Sequence, residues 1–167
     1  MNSNLLFDFT IDKANNTIRI KREFNADLSS VWQAWTTAEL LDQWWGPKPW
    51  RAETKTLDFR EGGYWLYAMV GPEGERHYAK TNFLSIVTKK SFASRGGSSD
   101  ENGNMTSMLP QNLWENNFIP QETNVLVDML LTYDSLADLE QEIEMGFKEG
   151  MTIDFQQLDE LLATLKK

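Results

Sequence analysis

The chain has 167 residues, of which 41% are hydrophobic and 25% charged, a composition typical of one soluble globular domain. Its net charge of −9 argues against a nucleic-acid partner and against an anionic membrane, because both require clustered lysine and arginine. The absence of cysteine excludes disulfides, thiolate metal sites and cysteine nucleophiles. No apolar run is long enough to span a membrane and the N-terminus has no basic segment, so we expect no signal peptide and a cytoplasmic location.

The first two predicted strands cover residues 5–12 and 17–24. Apolar Ile18 and Ile20 alternate with charged residues in the second, as in a strand with one buried face. Residues 13–16 contain two asparagines, which tolerate positive φ, and therefore predict a hairpin turn.

Five of the seven tryptophans lie in residues 31–50, where the pattern changes to helix. Asp27 and Thr37 are candidate N-caps of two short helices, and Gly46 with Pro47 is expected to end the second. Trp32 and Trp35 are three residues apart and share one helical face, so we expect both to be structural.

Alternating patterns then predict further strands up to residue 133. Residues 96–112 are rich in turn-forming residues and predict a mobile loop or an irregular covering segment. The apolar positions of residues 75–87 do not keep one parity, which indicates a β-bulge. The predicted strands in this region are residues 50–58, 64–70, 75–87, 91–95, 113–119 and 123–133.

After residue 133 the apolar period changes to that of helices. Asp134 or Ser135 can cap a helix that ends near Gly146. From Phe147 onward, apolar residues recur every three or four positions, which predicts one long amphipathic helix. The order of elements favours an α+β domain in which a curved antiparallel sheet of about six to eight strands wraps round the C-terminal helix, as a single domain over residues 1–167.

Three segments of the chain resemble one family in order and spacing: REFNADLSSVWQAWTTAELLDQWWGP, FREGGYWLYAMVGPEGE and MGFKEGMTIDFQQLDELL. The chain is similar to the START-like superfamily, also called SRPBCC or Bet v-like, and within it to the branch named after the activator of the ninety-kilodalton heat-shock protein's ATPase. The resemblance implies the helix-grip fold, with a cavity between sheet and helix. Superfamily members bind lipids, sterols, polyketides and other apolar molecules there.

The favoured hypothesis is a protein that binds a small hydrophobic molecule. Trp65, Tyr67 and Met69 share one strand face and would face one stripe of the last helix. A solid core with no void is the competing interpretation of the same pattern. The candidate ligand-binding residues are Trp65, Tyr67, Met69, His77, Tyr78, Met151, Phe155 and Leu158.

Two other functions remain as hypotheses. The adjacent Trp44 and Trp45 cannot easily both enter one core, and an exposed ring would favour a protein-interaction module, either a co-chaperone-like activator of a heat-shock ATPase or a homodimer. An enzyme acting on an aromatic or lipid-like substrate would have only His77 and the tyrosines as candidate groups. The single histidine and the lack of a G-x-S-x-G motif support no assignment of catalytic residues, metal ligands or cofactor.

Overall fold

The computed structural model describes residues 5–165, and residues 1–4 and 166–167 of the predicted domain lie outside it. One antiparallel sheet contains eight strands in the spatial order β1-β2-β8-β7-β6-β5-β4-β3. The predicted α+β helix-grip arrangement is confirmed: two short helices follow the second strand and a long helix ends the described chain. The elements are β1 (Phe7–Asp12), β2 (Thr17–Phe24), α1 (Leu28–Thr36), α2 (Ala38–Trp44), β3 (Arg51–Leu57), β4 (Tyr64–Val70), β5 (Arg76–Val87), β6 (Ser91–Ser99), β7 (Asn112–Pro120), β8 (Val125–Tyr133), α3 (Leu136–Glu144) and α4 (Phe147–Leu165).

Asp27 and Thr37 occupy the N-cap positions of α1 and α2 as predicted, but neither side chain makes a capping hydrogen bond. Other predicted boundary signals act where the sequence places them. Asn16 adopts φ of 57° in the hairpin between β1 and β2. The hydroxyl of Ser135 accepts a hydrogen bond from the Asp138 backbone N–H and caps α3. Gly146, at φ of 87°, separates α3 from α4, because this left-handed conformation costs glycine little. The predicted irregularity in β5 is a register shift between Phe83 and Ser85 opposite β6.

The predicted loop over residues 96–112 is wrong in its first four residues, because β6 continues to Ser99. Gly96 pairs with Thr81 and Gly97 with Lys80 on β5. A side chain at Gly96 would bring its Cβ within 2.7 Å of the Lys80 carbonyl oxygen. Glycine, which is unfavourable for a strand on propensity alone, is therefore required here by the close approach of β5.

Helix α4 packs on one face of the sheet through aromatic contacts and a salt bridge. The Phe155 ring is fully buried and lies 5.7 Å from the rings of both Phe7 and Phe24. Arg22 on β2 donates from two guanidinium nitrogens to the Asp159 carboxylate on α4, the shorter bond being 2.6 Å. The Arg22 guanidinium also lies 4.8 Å from the centroid of the Phe24 ring. These contacts fix the helix against one end of the sheet and leave the other end open to a cavity.

Candidate functional site

A cavity of about 1130 Å³ lies between α4 and the strands β4 to β7. Its walls come from the sheet, from the segment that follows α2, and from the turn between α3 and α4. Its aromatic lining includes Trp45, Trp65, Tyr67 and Trp114. The core is therefore not solid beside the last helix, which decides between the two interpretations of the apolar pattern.

The aromatic rings of this cavity form a continuous wall. The Trp45 ring centroid lies 5.7 Å from that of Trp65 and also 5.7 Å from that of Trp114. Trp65 and Tyr67 are stacked at 4.0 Å, although they are two residues apart on β4. The Trp45 indole N–H donates to the Tyr67 hydroxyl at 3.0 Å. Such a wall offers large flat surfaces to a ligand, and its Trp45 indole N–H already has a hydrogen-bond partner within the wall.

The position of Trp45 is set by two side chains of α4. The Asp154 carboxylate accepts a hydrogen bond from the Gly46 N–H at 3.1 Å. The Gln157 amide donates to the carbonyls of Trp44 and Gly46 and accepts from the Lys48 N–H at 3.0 Å. Gly46 itself has φ of 113°, which directs the chain sharply away from α2. The long helix therefore fixes the turn that points Trp45 into the cavity.

Two carboxyl groups belong to the inner end of the cavity, which we define by Trp45, Trp114, Glu142 and Asp154. Asp154 is 4% exposed, and burial raises the pKa of its carboxyl to about 8. Burial also raises the pKa of Glu142. Burial raises the pKa of Tyr67 to about 12, and the carboxyls of Asp154 and Glu142 contribute to this shift. Both carboxyls are therefore close enough to Tyr67 to interact with it electrostatically.

Two polar groups of β7 at this end have a buried atom without a hydrogen-bond partner among the described residues. They are the Asn116 side-chain oxygen and the Trp114 indole nitrogen. Asn116 is only 3% exposed and lines the cavity. Because buried polar groups are usually paired, these two indicate a place where a bound molecule can supply the partners.

The mouth of the cavity is more polar and more exposed. His77 is an exposed residue of β5, and its ring lies 5.7 Å from that of Trp50. Arg76 beside it donates to Glu53 at 2.7 Å. Met108 and Met145 are 71% and 57% exposed at this rim. Flexible methionine side chains at an opening can adapt to guests of different shape.

The structure brings together six of the eight candidate ligand-binding residues in the cavity lining. These are Trp65, Tyr67, Met69, His77, Tyr78 and Met151. Phe155 and Leu158 are fully buried in the hydrophobic core and do not line the cavity. Phe155 packs against Phe7 and Phe24, and Leu158 packs in the core. The apolar face of α4 extends beyond the part that lines the cavity.

Sequence reasoning identified His77 but missed the buried polar groups of the site. Asp154 lies three residues after Met151 and four before Leu158, so helical spacing places its carboxyl on the buried face. Asn116 lies between Trp114 and Phe118 with the same strand parity. In both cases the signal in the sequence is a polar residue at an apolar position of a periodic segment. Residues 5–165 contain no group of three or more side chains suited to hold a metal ion.

The tryptophan pair does not form an exposed patch. Trp44 is fully buried, and its indole N–H donates to the Ala34 carbonyl at 2.8 Å. Trp45 is half-buried and lines the cavity. The two rings contact each other, with centroids 5.3 Å apart, but only Trp45 lines the cavity, because α2 ends at Trp44 and the chain turns there. The exposed ring that motivated the interaction hypothesis is thus not found at these two positions.

Residues 25–163 match the family model described as "Activator of Hsp90 ATPase homolog 1-like protein". The chain belongs to this family. Within the described residues, this Hsp90-ATPase-activator-homologue-like protein has no helix that is long and apolar enough to cross a membrane. No curated protein matches its sequence with significance.

Several solved structures share the fold of this family member. A protein from Arthrobacter aurescens is 29% identical with a TM-score of 0.88, covering 94% of this chain and 91% of its own. A protein from Mycobacterium smegmatis is 29% identical with a TM-score of 0.85, covering 95% and 96%. A protein from Nitrosomonas europaea is 27% identical with a TM-score of 0.78, covering 93% and 99%. The descriptions of these three proteins name no activity, ligand or partner.

Proposed function

We propose that this protein binds a small, mainly apolar molecule in the cavity between its sheet and α4. The observation that carries the proposal is the cavity itself, about 1130 Å³ in volume and walled by Trp45, Trp65, Tyr67 and Trp114. Sites for small molecules are generally concave, mostly apolar and about 300–1,000 Å³ in size, with a few polar groups that orient the ligand. The present cavity, which includes its open mouth, fits that description.

The aromatic wall also supports the proposal energetically. A domain that leaves large rings beside unfilled space loses the dispersion contacts that those rings would make in a close-packed core. A flat apolar guest restores these contacts. The protein-interaction hypothesis gains no comparable support, since neither Trp44 nor Trp45 is exposed. The enzyme hypothesis gains none either, since the His77 imidazole lies at the rim without a hydrogen-bond partner among the described residues.

The proposal is tested with a cavity-filling variant. Ala79 on β5 pairs with Tyr67 on one side and Ser98 on the other, and all three line the cavity. Ala79→Phe should fill part of the space and weaken binding of apolar guests about tenfold or more, whereas Leu84→Phe changes a 52% exposed residue of the same strand. A panel of flat aromatic and aliphatic compounds is first screened by thermal shift, because a ligand of the native state raises its stability.

Isothermal titration calorimetry then gives the affinity of each hit for the wild type and both variants. We expect Ala79→Phe to bind weakly and Leu84→Phe to bind as the wild type does. Equal affinities for the two variants would place the guest elsewhere, and a panel in which no compound binds would count against the proposed function.

A further inference from the structure

The charges around the cavity are unbalanced. The lining contains four carboxyl residues: Asp100, Glu101, Glu142 and Asp154. Among the described residues of the lining, Arg76 is the only lysine or arginine. It lies at the mouth, where it donates to Glu53 at 2.7 Å, a carboxylate that it shares with Arg51. The inner end therefore holds two carboxyl groups and no protein cation from the described lining.

Asp154, the more deeply buried of the two inner carboxyls, has unused bonding capacity. One oxygen of Asp154 accepts from the Gly46 N–H, while the other makes no hydrogen bond to the described residues. The carboxyls of Asp154 and Glu142 both act on the Tyr67 hydroxyl of β4, and the Tyr133 hydroxyl of β8 lies beside Glu142; neither hydroxyl is a cation. Carboxylates are stable inside proteins only when a cation or several donors compensate them. The missing compensation is what a positively charged ligand would provide.

The aromatic wall suits the same chemistry. Trp45 has both Trp65 and Trp114 at 5.7 Å, so several indole faces and edges surround the space beside the carboxyls. The face of an indole attracts a cation more strongly than the other aromatic side chains do. The buried Asn116 side chain, whose oxygen has no partner, adds an acceptor for an N–H group. The Trp114 indole N–H remains for an oxygen elsewhere on the ligand.

We propose that the inner end of the cavity binds the ammonium group of an amphiphilic amine, with Asp154 and Glu142 as its carboxyl partners and Trp45 against its apolar part. This inference rests on the proposed function and specifies its ligand class. The amine's hydrocarbon or aromatic body would extend along the wall toward the methionine-lined mouth. The acidic inner end would disfavour an anionic amphiphile of the same size.

The test uses three matched probes that differ in one group: 2-(2-naphthyl)ethylamine, 2-(2-naphthyl)ethanol and 2-naphthylacetate. Calorimetric titration of the wild type at pH 7 should give the tightest binding for the amine and the weakest for the carboxylate. In the free protein Asp154 is mostly protonated at pH 7, so amine binding should release a proton. The affinity for the amine should therefore rise between pH 6 and pH 8, while that for the alcohol should not rise with it.

Two conservative variants separate ion pairing from packing. Asp154→Asn keeps an acceptor for the Gly46 N–H and removes the negative charge, and Glu142→Gln does the same on α3. Each should weaken amine binding about tenfold and change alcohol binding by less than about twofold, since a hydrogen bond to a charged partner is worth more than one to a neutral group. Glu160→Gln, an exposed position on the same helix as Asp154, should alter neither. Circular dichroism checks that each variant is folded.

The outcomes distinguish this inference from the proposed function. If the alcohol binds as tightly as the amine, or both variants weaken the two probes equally, cavity binding stands and the ammonium site is refuted. If none of the three probes binds, the ammonium site is refuted, and the proposed function is refuted with it when the ligand panel also yields no binder. Preference for the carboxylate would overturn the inference outright.

Discussion

Asp154 should make the stability of this protein fall as the pH rises, and Asp154→Asn should remove that contribution. Burial raises the pKa of the folded-state carboxyl from 3.8 to about 8. Between these values the folded state holds a proton that the unfolded state has lost, so raising the pH favours unfolding. This destabilisation by Asp154 is absent below about pH 4 and complete above about pH 8. Each unit within this window corresponds to about 1.4 kcal/mol.

The expected magnitude follows from this slope. The free energy of unfolding of Asp154→Asn, minus that of the wild type, should grow by about 3 kcal/mol between pH 5 and pH 7. Glu142, whose pKa burial also raises, has the same sign of effect, but it is present in both proteins and cancels in the difference. The asparagine keeps the acceptor that the Gly46 N–H uses, so packing is little changed.

The assay is urea denaturation at half-unit pH intervals from 5 to 8, monitored by tryptophan fluorescence and circular dichroism. Glu160→Gln, which alters an exposed carboxyl of α4, should follow the wild-type profile. Parallel profiles of the wild type and Asp154→Asn would refute the reasoning, because they would mean that Asp154 has the same protonation state in the folded and unfolded protein.

Three further predictions concern the contacts that hold α4 and the α2 turn. Gln157→Leu should lower the free energy of unfolding by about 3 kcal/mol, since three hydrogen bonds are lost, whereas exposed Gln156→Leu should change it by less than about 0.5 kcal/mol in the same urea titration. Arg22→Met should cost about 3 to 5 kcal/mol by calorimetry, because the Asp159 carboxylate loses its buried partner; a cost below about 1 kcal/mol would contradict this. Gly46→Ala should cost more than about 2 kcal/mol at its φ of 113°, and an unchanged melting temperature would show that the turn is not strained by a side chain.

Most of the fold was predictable because local pattern and global architecture agree. The period-two alternation of β8 and the helical period of α4 each indicate one buried face, and an antiparallel sheet that packs on a single helix is the arrangement that buries both. Gly46, Gly146 and Ser135 mark boundaries through conformations and caps that depend on a few neighbouring residues. The error in β6 has the opposite cause. Gly96 and Gly97 have low strand propensity, and only their pairing with β5 stabilises them as strand.

The sequence predicted the apolar part of the candidate site and His77 at its mouth, but not the buried polar groups Asp154, Glu142 and Asn116. Trp65, Tyr67 and Met69 are placed by strand parity, which is a local property. Phe155 and Leu158 are predicted ligand-binding residues because they share one apolar face of α4 with Met151. Which residues of that face line the cavity depends on how far the sheet extends beside the helix. Asp154 and Glu142 belong to helices that are rich in acidic residues, and their burial depends on contacts with Gly46, Tyr67 and the strands.

By itself, the sequence determined the element order, the face that each element buries and the acidic, cysteine-free character of the chain, because these follow from residue type and spacing alone. The tertiary structure decided whether the aromatic cluster closes into a core or surrounds a cavity. Volume is a property of packed surfaces far apart in sequence: β4, β7 and α4 meet only after folding. It also decided that Trp44 is buried while Trp45 faces the cavity, since two α4 side chains hold the turn between them.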